Sequence, residues 1–149
     1  MKRKRPQASD PIDIAARALR HRDRSRRQVE ERLERAGVDE ERRADALETL
    51  ERVGYVDDAR FAGARAAALA ARGYGDEAIR RLLEGEGVAA EAVERAVAVL
   101  EPERERAGRL VERLGASART AAQLQRKGFG EESVELAAGG AFADGEQGA

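Results

Sequence analysis

The residues able to do chemistry in this 149-residue chain are its arginines. Arg17, Arg20, Arg24, Arg26 and Arg27 crowd one short stretch, Arg72, Arg80 and Arg81 gather around a second, and Arg119, Arg126 and Lys127 around a third. A guanidinium is a permanent cation whose planar fork of N–H donors matches a carboxylate or a phosphate. The chemistry offered is therefore recognition of an anionic surface. The competing use of these side chains is to solvate helices and to pair with Glu at helical spacing, as Arg26-Glu30 and Arg27-Glu31 can. Exposed pairs of that kind contribute at most about 1 kcal/mol each, so pairing alone does not account for the first cluster.

Catalytic chemistry has little to draw on. There is no Cys, and the single His, His21, lies in an Arg-rich segment with no Asp, Ser or Cys constellation, which reads as a solvated residue. Asp57-Asp58 could suggest a metal pair, but adjacent carboxylates diverge at a helix start and need further ligands. Helix capping explains them better. Gly73-Tyr74-Gly75 lacks the third glycine of a dinucleotide fingerprint and reads as a helix–helix turn needing glycine dihedrals. No phosphate loop and no nucleophile–base–oxyanion set is present. The expectation is a non-enzyme with no cofactor and no metal.

The elements that carry the arginines repeat. Leu19, Leu69 and Leu110 align, with offsets of 50 and then 41 residues, and Ala16, Ala66 and Ala107 precede them by three. The register continues through Val29, Ile79 and Thr120, then Leu33, Leu83 and Leu124, then Gly37, Gly87 and Gly128, each followed by Val38, Val88 or Phe129. Such a period specifies a helical array whose function lies in an extended surface. Asp10-Pro11 opens a first helix with Ile12, Ala15, Ala16 and Leu19 on one stripe. Ser25 to Gln28 is a capping box, Gly37 a left-handed stop, and Asp39 a further cap. Helix six is expected from about Ala89 to Leu100, with Val93, Val97 and Leu100 inward. Pro102 opens a reduced third unit, in which Thr120 replaces an aliphatic residue.

The resulting organisation is all-α: an elongated, curved array of three tandem three-helix repeats over residues 11–56, 57–101 and 102–138. A basic tail over 1–10 and a disordered tail over 139–149 flank it. No sustained alternation suggests a strand, and no apolar run approaches membrane-spanning length. Absence of Cys excludes disulfides and fits a reducing cytoplasm; a monomer is expected. The net charge of -1 hides an asymmetry. Residues 1–27 hold ten Lys/Arg against three Asp, and the remainder is acidic. A basic end on a near-neutral protein points to an anionic partner.

Gly54-Tyr55-Val56-Asp57-Asp58-Ala59-Arg60-Phe61-Ala62, then Arg72-Gly73-Tyr74-Gly75 and Ile79…Leu83…Gly87-Val88, in this order and spacing, resemble the RecX family of recombinase regulators. The first unit adds Leu19…Ser25…Val29…Leu33…Gly37, and the resemblance covers roughly residues 12–138. It implies a curved all-helical protein that binds the RecA recombinase, lodged in the groove of its filament on single-stranded DNA. It further implies lowered ATP hydrolysis, strand exchange and stimulated repressor self-cleavage by RecA, with no catalytic residue in the regulator. The family's pattern makes Gly54, Tyr55, Asp57, Asp58, Arg60, Phe61, Gly73, Tyr74, Gly75 and Gly87 structural. Phe61 is expected in the core, wedged between units, and Arg60 is expected to hold the inter-unit turn through Asp57 or a carbonyl. Two other functions compete: a stand-alone DNA-binding protein, opposed by Glu30, Glu31 and Glu84 on the second helices, and a helical interaction scaffold.

Overall fold

The computed structural model describes residues 10–139. The two expected tails, except for Asp10 and Gly139, lie outside the described residues. Those residues form nine helices and no strand: α1 (Pro11–His21), α2 (Arg26–Arg35), α3 (Glu40–Arg52), α4 (Asp58–Ala71), α5 (Asp76–Gly85), α6 (Ala90–Ala98), α7 (Glu103–Leu114), α8 (Ala118–Arg126) and α9 (Glu131–Ala137). Asp10, Ser25, Asp39, Asp57 and Ser117 each cap a helix by accepting a first-turn backbone N–H. At Ser25 the box is complete, because the Gln28 side chain accepts from the Ser25 N–H at 3.1 Å.

The threefold Leu–Gly–apolar register has one physical cause. Gly37, Gly87 and Gly128 are left-handed, with φ of +82°, +92° and +83°. The N–H of the next residue reaches back five positions, Val38 to Leu33 O, Val88 to Leu83 O and Phe129 to Leu124 O, at 3.1 Å each. This closure satisfies orphan carbonyls and turns Val38, Val88 and Phe129 into the cores. α1–α3, α4–α6 and α7–α9 each enclose a separate apolar cluster. The largest shut-off side chains include Leu33, Leu47, Leu50, Leu69, Ile79, Leu83 and Leu124.

Four expectations need correction. In α1 the buried residues are Ala15 and Ala18, while Ala16 and Leu19 stay partly exposed, so this helix runs one residue out of register with α4. Its exit differs accordingly: Arg22 is extended, with φ −168°, where the second unit uses left-handed Gly73 at +90°. Phe61 belongs to the core of α4–α6 and does not sit between units. α6 stops at Ala98, so Leu100 lies outside the helix, although it packs against the core of α4–α6 as expected. Gly75 is not left-handed; its φ is −82°. It is required for space, since a Cβ there would lie 2.4 Å from Phe129 N and 2.5 Å from the Gly128 carbonyl.

The units meet at two equivalent joints. The start of α2 docks on the α5–α6 turn: Ser25 Oγ donates to Glu86 O at 2.5 Å, and the Arg27 guanidinium donates to Gly85 O. The start of α5 docks in the same way on the α8–α9 turn: Gly75 N–H donates to Lys127 O at 2.8 Å and Glu77 N–H to Gly128 O at 3.2 Å. Ser25 and Gly75 are matched positions of the repeat, as are Glu86 and Lys127, each just before its left-handed glycine. Among the described residues, hydrogen bonds and ion pairs join the first unit to the second and the second to the third, and none joins the first to the third. The array is therefore open and extended.

Candidate anion-binding surface

Most of the family-pattern residues lie at or beside the joints, while Phe61 belongs to the core of α4–α6. Asp57 caps α4 by accepting from Arg60 N–H at 3.1 Å, and Asp58 crosses to the first unit, accepting the Arg26 backbone N–H at 2.7 Å. Arg60 donates to the carbonyls of Gly54 (2.8 Å) and Tyr55 (3.2 Å), as expected for a turn clamp. Its ionic partner is Asp23, at 3.2 Å, and not the side chain of Asp57. The Asp23 hydrogen bond raises the Arg60 pKa. Nothing in the spacing of Asp23 and Arg60 signalled this pair, because the contact spans 37 residues. Tyr55 keeps 61% of its surface exposed while its carbonyl is held, so its ring is available at the joint's edge.

At the second joint Tyr74 lies under Lys127, 4.3 Å from ring centroid to Nζ, with Arg72 at 6.0 Å. Arg106, absent from the sequence-based candidates, is the one buried arginine among the described residues, at 7% exposure. It donates to Tyr74 O and Glu101 O at 2.9 Å each and pairs with Asp76. Burial raises the Asp76 pKa, against the opposing pull of Arg106. Glu103 completes the joint, accepting from Asp76 N–H (3.0 Å), Gly130 N–H (3.2 Å) and Ser133 Oγ (3.0 Å).

The candidate arginines divide by what they touch. Arg26 pairs with Glu51 and with Glu30 at 3.7 Å, and Arg27 with Glu31 at 3.4 Å besides its joint carbonyl. Arg80 is held by Glu94 at 2.8 Å, which raises its pKa. Arg17, Arg20, Arg24, Arg72, Arg81, Arg119, Arg126 and Lys127 make no ion pair among the described residues. Arg24 is the organised member of this set. Its Nε donates to Ala18 O at 3.2 Å, fixing the side chain against α1. Burial lowers its pKa, and repulsion from Arg22, Arg32 and Arg35 lowers it further. Arg22, Arg32 and Arg35 likewise make no ion pair among the described residues, and sequence reasoning missed all three. Their signal was available in part, since Arg32 and Arg35 are one turn apart on α2.

This arrangement brings Arg22, Arg32 and Arg35 close enough to Arg24 for mutual repulsion on the first unit, and places further cations at the second joint. No group of three or more His, Asp or Glu able to hold a metal ion occurs among the described residues. No described helix is long and apolar enough to cross a membrane.

No protein-family model matches the chain. It is 30% identical over 146 residues to the regulatory protein RecX of Stenotrophomonas maltophilia (strain R551-3), covering 91% of this chain and 90% of that one. It is 32% identical over 152 residues to regulatory protein RecX of Halorhodospira halophila (strain DSM 244 / SL1), covering 95% and 94%. The crystal structure of RecX from Lactobacillus salivarius superposes with a TM-score of 0.75 at 18% identity, over 87% of this chain and 93% of that one. A second crystal structure of regulatory protein RecX gives 0.74 at 20% identity, over 87% and 72%. Near-full-length identity, the array itself and the motif residues found at its joints agree: the chain belongs to the RecX family of regulatory proteins.

Proposed function

We propose that this chain binds the RecA recombinase filament on single-stranded DNA in the cytoplasm, as a monomer, and lowers RecA's ATPase, strand-exchange and coprotease activities. DNA repair and the SOS response would then be regulated by occupancy of the filament. Membership of a family of regulatory proteins is one support for this reading. The observation that carries it here is the arginine cluster around Arg24, left without carboxylate partners in a chain that pairs many of its other arginines. An extended array can spread weak contacts over several filament subunits, and multivalent engagement multiplies modest affinities. Arg17 and Arg20 on α1 extend the cluster. Arg27 borders it as a joint residue, so reversing its charge also cuts the first joint, whereas Arg26 crosses that joint only through its backbone N–H.

The test is RecA ATP hydrolysis on single-stranded DNA with substoichiometric amounts of this protein. Hydrolysis should slow several-fold, and the Arg32→Glu/Arg35→Glu variant, at two exposed positions without ion pairs among the described residues, should lose most of that effect while keeping its melting temperature. Unchanged hydrolysis at excess protein refutes the reading. Tight, salt-dependent duplex binding without RecA would favour the stand-alone DNA-binding alternative.

A further inference from the structure

A groove with a cavity volume of about 500 Å³ runs along the second joint, between the last turn of α4 and one face of α7. Arg72, Arg106, Arg109 and Arg113 line it, with Ala70, Ala71, Gly73, Leu110 and Phe129, and no carboxylate is among the lining residues. The guanidiniums are graded in freedom. Arg106 is buried and fixed by Tyr74 O, Glu101 O and Asp76. Arg109 holds Glu101 at the exposed rim, with Glu105 and Glu112 also within its field. Arg72 and Arg113 make no ion pair among the described residues.

We infer that this groove is a subsite for the phosphate backbone of a single-stranded nucleic acid, gripped by Arg72 and Arg113, with Arg109 at the rim. Four observations select this ligand. Arg109 and Arg113 fall on one face of α7, about one turn apart, or roughly 5–6 Å, which suits successive charges along a stretched strand. A guanidinium fork takes two phosphate oxygens at once. Phe129 is only 4% exposed and lies beneath Arg106, so the groove presents guanidiniums and small aliphatic edges, not an open aromatic pocket. Binding must then be driven by charge, as at nucleic-acid backbones, and not by a filled apolar pocket. The exposed Arg109–Glu101 pair is weak enough to exchange its carboxylate for phosphate. Lys127, over the Tyr74 ring at the same joint, adds a further cation without an ion pair among the described residues.

This inference deepens the filament reading but is tested without RecA. The full chain is titrated against a fluorescently labelled oligothymidylate of about 20 nucleotides, followed by anisotropy between roughly 50 and 200 mM salt. Arg72→Ala/Arg113→Ala should weaken binding about tenfold or more and lower the salt slope by roughly 1–2, because each lost phosphate contact removes about one unit. Arg72→Lys/Arg113→Lys should recover most of the salt slope. Matching melting temperatures establish that all forms are folded, and the salt slope reads the subsite even if one variant is slightly less stable. An unchanged affinity and slope in the alanine variant overturns the subsite, as does equal competition by polyglutamate at matched charge. If the subsite fails while the wild-type chain still slows RecA hydrolysis, the filament reading stands. If hydrolysis is untouched while the slope changes as expected, the groove stands and the filament reading falls.

Discussion

Replacing Gly75 by Ala tests whether the units are held by close backbone approach. The backbone dihedral is no obstacle, because φ is −82°, which Ala adopts freely. The whole effect is steric. The new Cβ would lie 2.4 Å from Phe129 N and 2.5 Å from Gly128 C and O, all main-chain atoms that no rotamer change can move. The joint must open, and opening weakens the Gly75 N–H···O Lys127 and Glu77 N–H···O Gly128 bonds. Two hydrogen bonds at about 1 kcal/mol each, with about 1–2 kcal/mol for misfit, give roughly 3–4 kcal/mol. Gly37→Ala is the control. Nothing lies within 4 Å of its Cβ position, so only the φ of +82° is strained. That strain is worth about 1 kcal/mol. For a chain of this size the melting temperature should fall by about 10 °C in the first variant and about 3 °C in the second. Hydrogen exchange by mass spectrometry should localise the Gly75→Ala loss to α8 and α9, whose turn receives the contact. Equal melting shifts, or exchange changes spread evenly over all three units, would refute backbone docking as the source of the joint.

Three further outcomes follow from the same geometry. Ser25→Ala should destabilise by about 2 kcal/mol in urea unfolding, because Oγ both caps Gln28 N–H at 3.2 Å and donates to Glu86 O. Ser117→Ala removes a cap bonded within its own unit and should cost about 1 kcal/mol, so equal effects would deny the serine a joint role. Asp76 has a raised pKa in the folded chain, so the folded state keeps its proton longer than the unfolded state. The stability it confers is present at the acid end and declines as pH rises from 3.8 through the folded value. Asp76→Asn should flatten that part of the melting-temperature profile, and an unchanged slope would show that Asp76 does not set it. Arg60→Lys should lose about 0.5–1 kcal/mol, since an ammonium cannot reproduce the fork on Asp23 and two carbonyls at a half-exposed site. Wild-type stability would demote the clamp.

Local chemistry made the helices legible. Caps at Asp10, Ser25, Asp39 and Asp57 and the left-handed Gly37, Gly87 and Gly128 act within a few residues, so their spacing alone reports them. The register of α1 was less legible. Ala15 and Ala16 are equally apolar, so composition does not distinguish them; α1 buries Ala15 and leaves through an extended Arg22. The functional surface divides along the same line. Cationic density near α1 and α2 is visible in sequence, but which arginines retain their charge for a partner depends on contacts such as Arg26 with Glu51 and Arg60 with Asp23, 25 and 37 residues apart. Arg106 was hidden for the same reason: its partners Tyr74 and Asp76 belong to another unit.

The two joints have a consequence for how this architecture can change over time. Their geometry is set by main-chain contacts, such as Ser25 on Glu86 O and Gly75 on Lys127 O, and by polar side chains such as Arg60 and Arg106, with no core residue among these bonds. The pitch from one unit to the next is thus nearly independent of which apolar residues fill each core. Interior side chains are free to drift so long as the small residues at the seams persist. That freedom agrees with a TM-score of 0.75 surviving at 18% identity. Selection on such a scaffold can retune the strength of each unit without altering the spacing between its binding faces.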